Sequence, residues 1–322
     1  MATVLDQEQH GDAGSQEGFR SLTSRLNRAS VEKHFDAYAD VDWDAPGHEL
    51  AAGDPRLELP DFEPLARTEW YRSQPVEVRS RIALYRTASY MKIGWHFENL
   101  LQRGLLARAM RLPHNTPEFR YIHHEIIEES QHTLMFQEVV NRSGLPIRGM
   151  SAVVRIPVSW MAMPVARHLP AVFFVAVMGG EDPIDHVQRA ALREGIRHPL
   201  IERIMRIHVT EEARHLTYAR HLLRRDVPRI NRVRRTLLSL VAPLELSLLA
   251  HIMLVPPADM VRNCGIPREV VREAYRSADG RRFVAGSVRK SRELCGELGL
   301  LTPLSRWVWR MARVWERPAA ED

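Results

Sequence analysis

HVTEEARH, residues 208–215, sets two histidines and two glutamates within eight residues. A helix advances by about 100° per residue, so His208, Glu212 and His215 fall within roughly 60° of one another around its axis. Glu212 and His215 stand three apart, and both side chains can reach one ion. A second stretch echoes the first: EESQH, residues 128–132, places Glu129 three positions before His132. One Glu-x-x-His pair is ordinarily a surface contact. Two of them on two long helices read as the halves of one metal site.

The flanking sequence supplies those helices. Alternating runs and Asn-Gly hairpin turns are scarce, and long stretches without proline end at helix-stop signals. A first long helix is expected from Pro75 to about Leu112, and a second from Asn115-Thr116-Pro117 to Ser143-Gly144. A third should run from about Val165 to Glu194, a fourth from His198-Pro199 to before Pro228, and a fifth over about 230–254. The expected fold is all-α: a four-helix bundle with additional helices. Residues 1–18 read as a disordered leader, 19–74 as an irregular and helical lead-in, and 75–322 as the helical domain. Pro183 is expected to bend the third helix, because it lacks a backbone donor and crowds the carbonyl four residues back.

Composition narrows the function classes. The 322 residues are 45% hydrophobic and 26% charged, which suits a globular chain with a sizeable core. The net charge of +5 is mostly arginine, densest in RRDVPRINRVRR at 224–235. Without aromatic interleaving or a binding motif, that run reads as a solvated helix–loop–helix corner and not a nucleic-acid groove. Cys264 and Cys295 have neither metal spacing nor a disulfide framework, which fits a reducing, cytoplasmic compartment. The N-terminus lacks the basic start and apolar core of a secretory signal. LLSLVAPLELSLLAHIMLV, 237–255, approaches spanning length but contains Pro243, Glu245 and His251. It reads as a buried core helix, not a transmembrane span.

Two Glu-x-x-His pairs make a demand on the rest of the chain. In di-iron and di-manganese carboxylate bundles, each of the other two helices contributes one inward glutamate. The first helix offers Glu98, on a stripe with Met91, Gly94, Trp95, Leu101 and Leu105 and with no arginine three or four residues away. Burying that carboxylate unpaired is costly, so a cation partner is expected. The third helix offers Glu181, on a face with Phe174, Val177, Met178 and Ile184; a bend at Pro183 would turn Asp182 or Asp185 inward instead.

The candidate ligands are therefore Glu98, Glu129, His132, Glu181, His208, Glu212 and His215. Imidazoles and carboxylates without a thiolate suit a pair of first-row metals, not a structural zinc. Two irons are the expected occupants, and manganese or a mixed pair is compatible with the same ligands. Glu128 and Glu211 are expected to accept from ligand-histidine N–H groups, with Arg214 tying carboxylates together across the bundle. Glu125 shares the face of Glu129 and His132 and is left outside the ligand set.

This set, with a third histidine four residues before the last Glu-x-x-His glutamate, resembles the para-aminobenzoate N-oxygenase (AurF-type) family of non-haem di-iron oxygenases. The gap from Glu181 to His208 and the lead-in RLNRASVEKHFDAYADVDWD are similar too. The resemblance implies a ferritin-like fold, a homodimer, and a di-iron centre that activates dioxygen after two-electron reduction to oxidise arylamines to hydroxylamines and nitro compounds. In that picture Glu129 and Glu212 bridge, His132 and Glu98 complete one iron, and Glu181, His208 and His215 the other. No flavin, Rossmann or iron–sulfur motif is present, so electrons are expected from an external ferredoxin or reductase. A hydroxylase or desaturase acting on carbon is the second reading; acyl-carrier desaturases share paired Glu-x-x-His motifs, but His208 favours the first. Iron storage by a ferritin-like protein is a third, typical of much shorter chains. A radical-generating subunit is a fourth, with Tyr218 its only obvious tyrosine. Tyr90, Lys92 and Trp95 are candidates to line a cavity.

Overall fold

The bundle helices form where local signals start and stop them. In the computed structural model, which describes residues 2–315 with side chains from Gln16 onward, there is no strand among the described residues. The chain begins with α1 (Ala2–Glu32), continues through an irregular segment and short α2 (Glu69–Arg72), and enters the long α3 (Val76–Ala109). Then follow α4 (Pro117–Ser143), α5 (Ala152–His168), α6 (Pro170–Glu194), α7 (Pro199–Asp226) and α8 (Arg232–Leu254). Shorter helices α9 (Ala258–Asn263), α10 (Arg268–Arg276), α11 (Ala278–Ser287), α12 (Arg289–Glu297) and α13 (Pro303–Met311) complete the described chain. At the start of α4 the Thr116 hydroxyl accepts the Phe119 N–H and Pro117 occupies the first turn; at its end Gly144 takes φ 62°.

The four long helices α3, α4, α6 and α7 pack into an all-α, ferritin-like bundle. Helix α1 crosses α4 and α7, α5 lies on α3, and α8 on α6. The core has two apolar clusters with a polar layer between them. On α4, Tyr121 and Ile122 belong to one cluster and Met135, Phe136 and Val139 to the other, with Glu129 and His132 between. On α7, Ile204 and Ile207 lie on one side of His208, Glu212 and His215, and Leu216, Ala219 and Leu222 on the other. Apolar packing on both sides fixes the depth and rotation of every side chain in that layer.

Two expectations need correction. The third bundle helix starts at Pro170, not near Val165, because Leu169 before that proline leaves helical geometry (φ −133°, ψ 57°). The preceding residues instead form α5. Helix α6 then runs from Pro170 to Glu194 with Pro183 inside it. The arginine run is not merely solvated: Arg225 is paired with Glu118 at 2.9 Å and lies over the Phe19 ring, and Arg224 pairs with Glu297 at 2.8 Å. The backbone of α1 is helical from Ala2; side chains before Gln16 lie outside the described residues.

Cys264 and Cys295 are free thiols. The stretch Arg232–Asn263 is long and apolar enough to cross a membrane by length and composition. Leu238, Ala242, Leu246 and Ala250 nevertheless bury one face of α8, with Leu246 and Leu249 set against Gly179 of α6.

Candidate metal centre

Seven side chains from four helices converge in the polar layer. Glu98 comes from α3, Glu129 and His132 from α4, Glu181 from α6, and His208, Glu212 and His215 from α7. None is more than 1% exposed. Their ligand-type atoms form overlapping groups: Glu98 with His132 and His208; Glu129 with Glu212 and His215; Glu181 with His208 and Glu212; and Glu98 with Glu129 and Glu181. Within each group the atoms lie within 4.8 Å of one another. His208 thus sits between the two halves of the cluster, near Glu98 and His132 as well as Glu181, and not with the His215 half alone.

The histidines are oriented from behind in a crossed pattern. His132 of α4 donates from Nε2 to Glu211 Oε2 of α7 at 2.9 Å, and His215 of α7 donates from Nε2 to Glu128 Oε2 of α4 at 2.7 Å. Each Nδ1 therefore faces inward, that of His132 lying 2.9 Å from Glu129 Oε2 and that of His215 2.8 Å from Glu129 Oε1. Arg214 ties the outer carboxylates, at 2.7 Å from Glu128 and 3.5 Å from Glu211. His208 points the other way round: Nδ1–H donates to Gln188 Oε1 at 2.8 Å, and Nε2 is buried without a hydrogen-bond partner, 3.9 Å from Glu98 Oε1. Hydrogen bonding of one ring nitrogen fixes which nitrogen is free to bind metal.

Two features escaped the sequence. Gln188 was not considered, although it stands two helical turns after Glu181 and so on the same face. The backbone N–H of Phe35, in the lead-in, donates to Glu211 Oε1 at 3.2 Å, which needs long-range contact information. The alternatives at Pro183 are resolved as well: Asp182 bonds Arg220 and Ser291, Asp185 pairs with Arg189 at 2.6 Å, and Glu181 remains the inward carboxylate. Glu125 is buried beside the layer with Oε2 unpartnered, outside the close groups. Tyr90 borders Glu98 in a narrow gap, whereas Lys92 bonds Gln137 and lies over the Trp95 ring.

The electrostatics call for cations. Burial, then the neighbouring carboxylates, pushes Glu98 and Glu181 well above the ordinary carboxyl range, and burial likewise raises Glu212. Burial opposes ionisation of Glu129 too, but His215 and His132 hold it well below. Burial also disfavours charge on His132, yet Glu129 and Glu211 lift it to about 9; His208, buried and next to His132, is held well below its ordinary value. Glu98 Oε2, Glu181 Oε1 and Glu212 Oε1 lack hydrogen-bond partners. Leaving such atoms unpaired at this depth is costly, and two divalent ions would balance the four carboxylate charges. The residues fit the metals.

A helical bundle whose core joins three imidazoles to four carboxylates defines a class, the ferritin-like non-haem di-iron proteins. Comparison with known proteins narrows it. The family model described as P-aminobenzoate N-oxygenase AurF matches residues 16–299. Uncharacterized proteins of Mycobacterium bovis and Mycobacterium tuberculosis are 39% identical over 310 residues, covering 96% of this chain and 91% of each relative. No solved structure matches significantly. The chain belongs to the AurF family: it is an oxidoreductase of the di-iron monooxygenase type, with a di-iron cofactor.

Proposed function

We propose that the enzyme N-oxygenates an amine, most directly an arylamine, with dioxygen as oxidant. The first turnover balances as amine plus dioxygen plus two electrons and two protons, giving hydroxylamine and water; further oxidation gives the nitro compound. Glu98, Glu129, His132, Glu181, His208, Glu212 and His215 are proposed as the ligands of the two irons. When bound, the metal pair supplies the electrons that activate dioxygen. The chain's own residues do the rest. Glu128, Glu211, Arg214 and Gln188 hold the imidazoles in their ligating orientation. The apolar clusters on either side keep water from the reacting centre.

The observation that carries this reading is the third imidazole, His208, with its buried Nε2 unpartnered and facing Glu98. Paired Glu-x-x-His motifs alone serve acyl-chain oxidation as well. Residues 75–322 are proposed as the di-iron domain and 19–74 as its irregular and helical lead-in, which reaches the centre through the Phe35 N–H on Glu211. An external ferredoxin or reductase in the cytoplasm is proposed as the electron donor. A homodimer is also proposed, supported by exposed apolar side chains such as Val153, Trp160 and Leu237 on α5 and α8.

The test is to load apo-protein anaerobically with ferrous iron and count metal per chain. Air, a chemical reductant and a panel of anilines and acyl substrates follow, with products resolved by mass spectrometry. Saturation at about two irons per chain with hydroxylamine or nitro products is the expected result. Ring or chain hydroxylation would move the assignment to carbon, and uptake of tens of irons per chain would mean storage.

A further inference from the structure

A cavity of about 210 Å³ lies between α3, α5, α6 and α8. Its wall is apolar, formed by side chains such as Phe97, Leu101, Val158, Val177 and Leu249. Among the described residues, Glu245 is the only ionisable side chain that lines it. The Oε2 of Glu245 is buried without a hydrogen-bond partner, and burial pushes its carboxyl up to about 8. At neutral pH the group is thus largely an uncharged acid, able both to donate and to accept.

One side chain, Phe97, stands between the inner end of the cavity and the metal centre. Phe97 lines both this cavity and a narrow gap of about 10 Å³ bordered by Glu98, Glu181 and His208. Its ring presses on α6 where glycine permits it, since a Cβ on Gly180 would lie 2.1 Å from the ring. The Phe97 ring is therefore the partition between the two spaces. On α8, Met253 borders the inner gap and Glu245 the outer cavity. A helical rise of ~1.5 Å per residue puts these positions roughly 12 Å apart.

We propose that this cavity is the substrate pocket and selects an uncharged, elongated apolar molecule, whose far polar group hydrogen-bonds Glu245 and whose reacting end passes Phe97 to the metals. The proposal rests on the oxygenase reading of the metal centre. An aromatic acid is disfavoured twice over. Among the described residues no arginine, lysine or histidine lines the wall to pair with a carboxylate, and that charge would have to be desolvated beside another acid. The substrate class is an apolar arylamine with a neutral hydrogen-bonding tail, in place of an aminobenzoate.

The test measures binding by calorimetry on the anaerobic, iron-loaded full-length protein. The probes are 4-butylaniline, 4-(4-aminophenyl)butan-1-ol and 4-aminobenzoate. 4-Butylaniline should bind at least about tenfold more tightly than 4-aminobenzoate, and the alcohol several-fold more tightly still, the net worth of one hydrogen bond. Glu245→Leu should erase the advantage of the alcohol while leaving 4-butylaniline bound. Ala176→Phe, or Val158→Phe on the outer α5 wall, should weaken both anilines about tenfold or more by filling the space, with iron stoichiometry unchanged. Equal binding of 4-aminobenzoate, no binding of 4-butylaniline, or indifference to both blocking variants overturns the pocket. Anilines that bind in the pocket but yield no N-oxygenated product leave it standing and sink the amine reading. Undiminished N-oxygenation in both blocking variants does the reverse.

Discussion

Replacing Gln188 with leucine isolates the orientation of one imidazole from everything else in the centre. Gln188 is 1% exposed, and its Oε1 accepts the Nδ1–H of His208 at 2.8 Å. Leucine fills similar space but offers no acceptor. The lost partner strands a buried N–H, at about 1–3 kcal/mol. It also frees the ring to carry its proton on Nε2, the nitrogen that faces Glu98 at 3.9 Å. Removing the partner that orients a ligand histidine typically weakens metal binding roughly tenfold to hundredfold, which is about 1.4–2.8 kcal/mol and so agrees in size with the stranded donor. The expected outcome is one iron weakened by that factor while the other stays tight. Gln188→Glu, which keeps an acceptor in place, should retain two tight irons. The assay is an anaerobic ferrous titration against a competing chelator, with circular dichroism to confirm the helices. Two irons of unaltered affinity in Gln188→Leu would refute the argument that the hydrogen bond sets the ligating nitrogen.

Three further outcomes are expected. Glu212→Ala, at a fully buried position shared by two of the ligand groups, should abolish tight binding of two irons with helical content largely intact; two retained metals in elemental analysis would break the ligand assignment. Glu118→Gln should destabilise the fold by about 1.5–3 kcal/mol in chemical denaturation, because this carboxylate bonds Arg108, Arg225 and Tyr218 in one largely buried network and its neutralisation leaves Asp226 alone to balance both arginines. Glu245 supplies a pH signature. Its folded carboxyl is raised to about 8 by burial, against ~4.3 in an unfolded chain. The folded state therefore holds the proton more tightly, so this contribution to stability is full below ~4.3 and is lost as pH rises through about 8. In apo-protein the melting temperature should fall more steeply over about pH 5–8 in the parent than in Glu245→Gln; parallel curves would mean that Glu245 meets solvent or a cation.

The metal centre was legible because its information is local. Three- and four-residue spacings on a helix place side chains on one face whatever the helix packs against, so Glu129 with His132, and His208 with Glu212 and His215, could be read from two short stretches. Glu128 and Glu211 could be suspected as partners, but the crossing of each onto the histidine of the other helix depends on how α4 and α7 face one another. Helix α5 was illegible for a different reason. It turns small residues, Ala162 and Ala166, inward and exposes Val153, Trp160 and Met161, with Pro157 and Pro164 inside it, so the usual amphipathic signal is inverted. That inversion has a consequence for function. The same helix walls the cavity that ends on Phe97, so the space for a substrate is made by the element whose sequence pattern argued least for a packed helix. Glu245 fits the same account. As a residue in an apolar run it argues against a membrane span; set in the fold, it is a carboxyl group in an otherwise apolar wall, and only the joint placement of α3, α5, α6 and α8 reveals it. A metal site built on helical periodicity can be found from one sequence, whereas the pocket that selects its substrate lies between helices and is written in their packing.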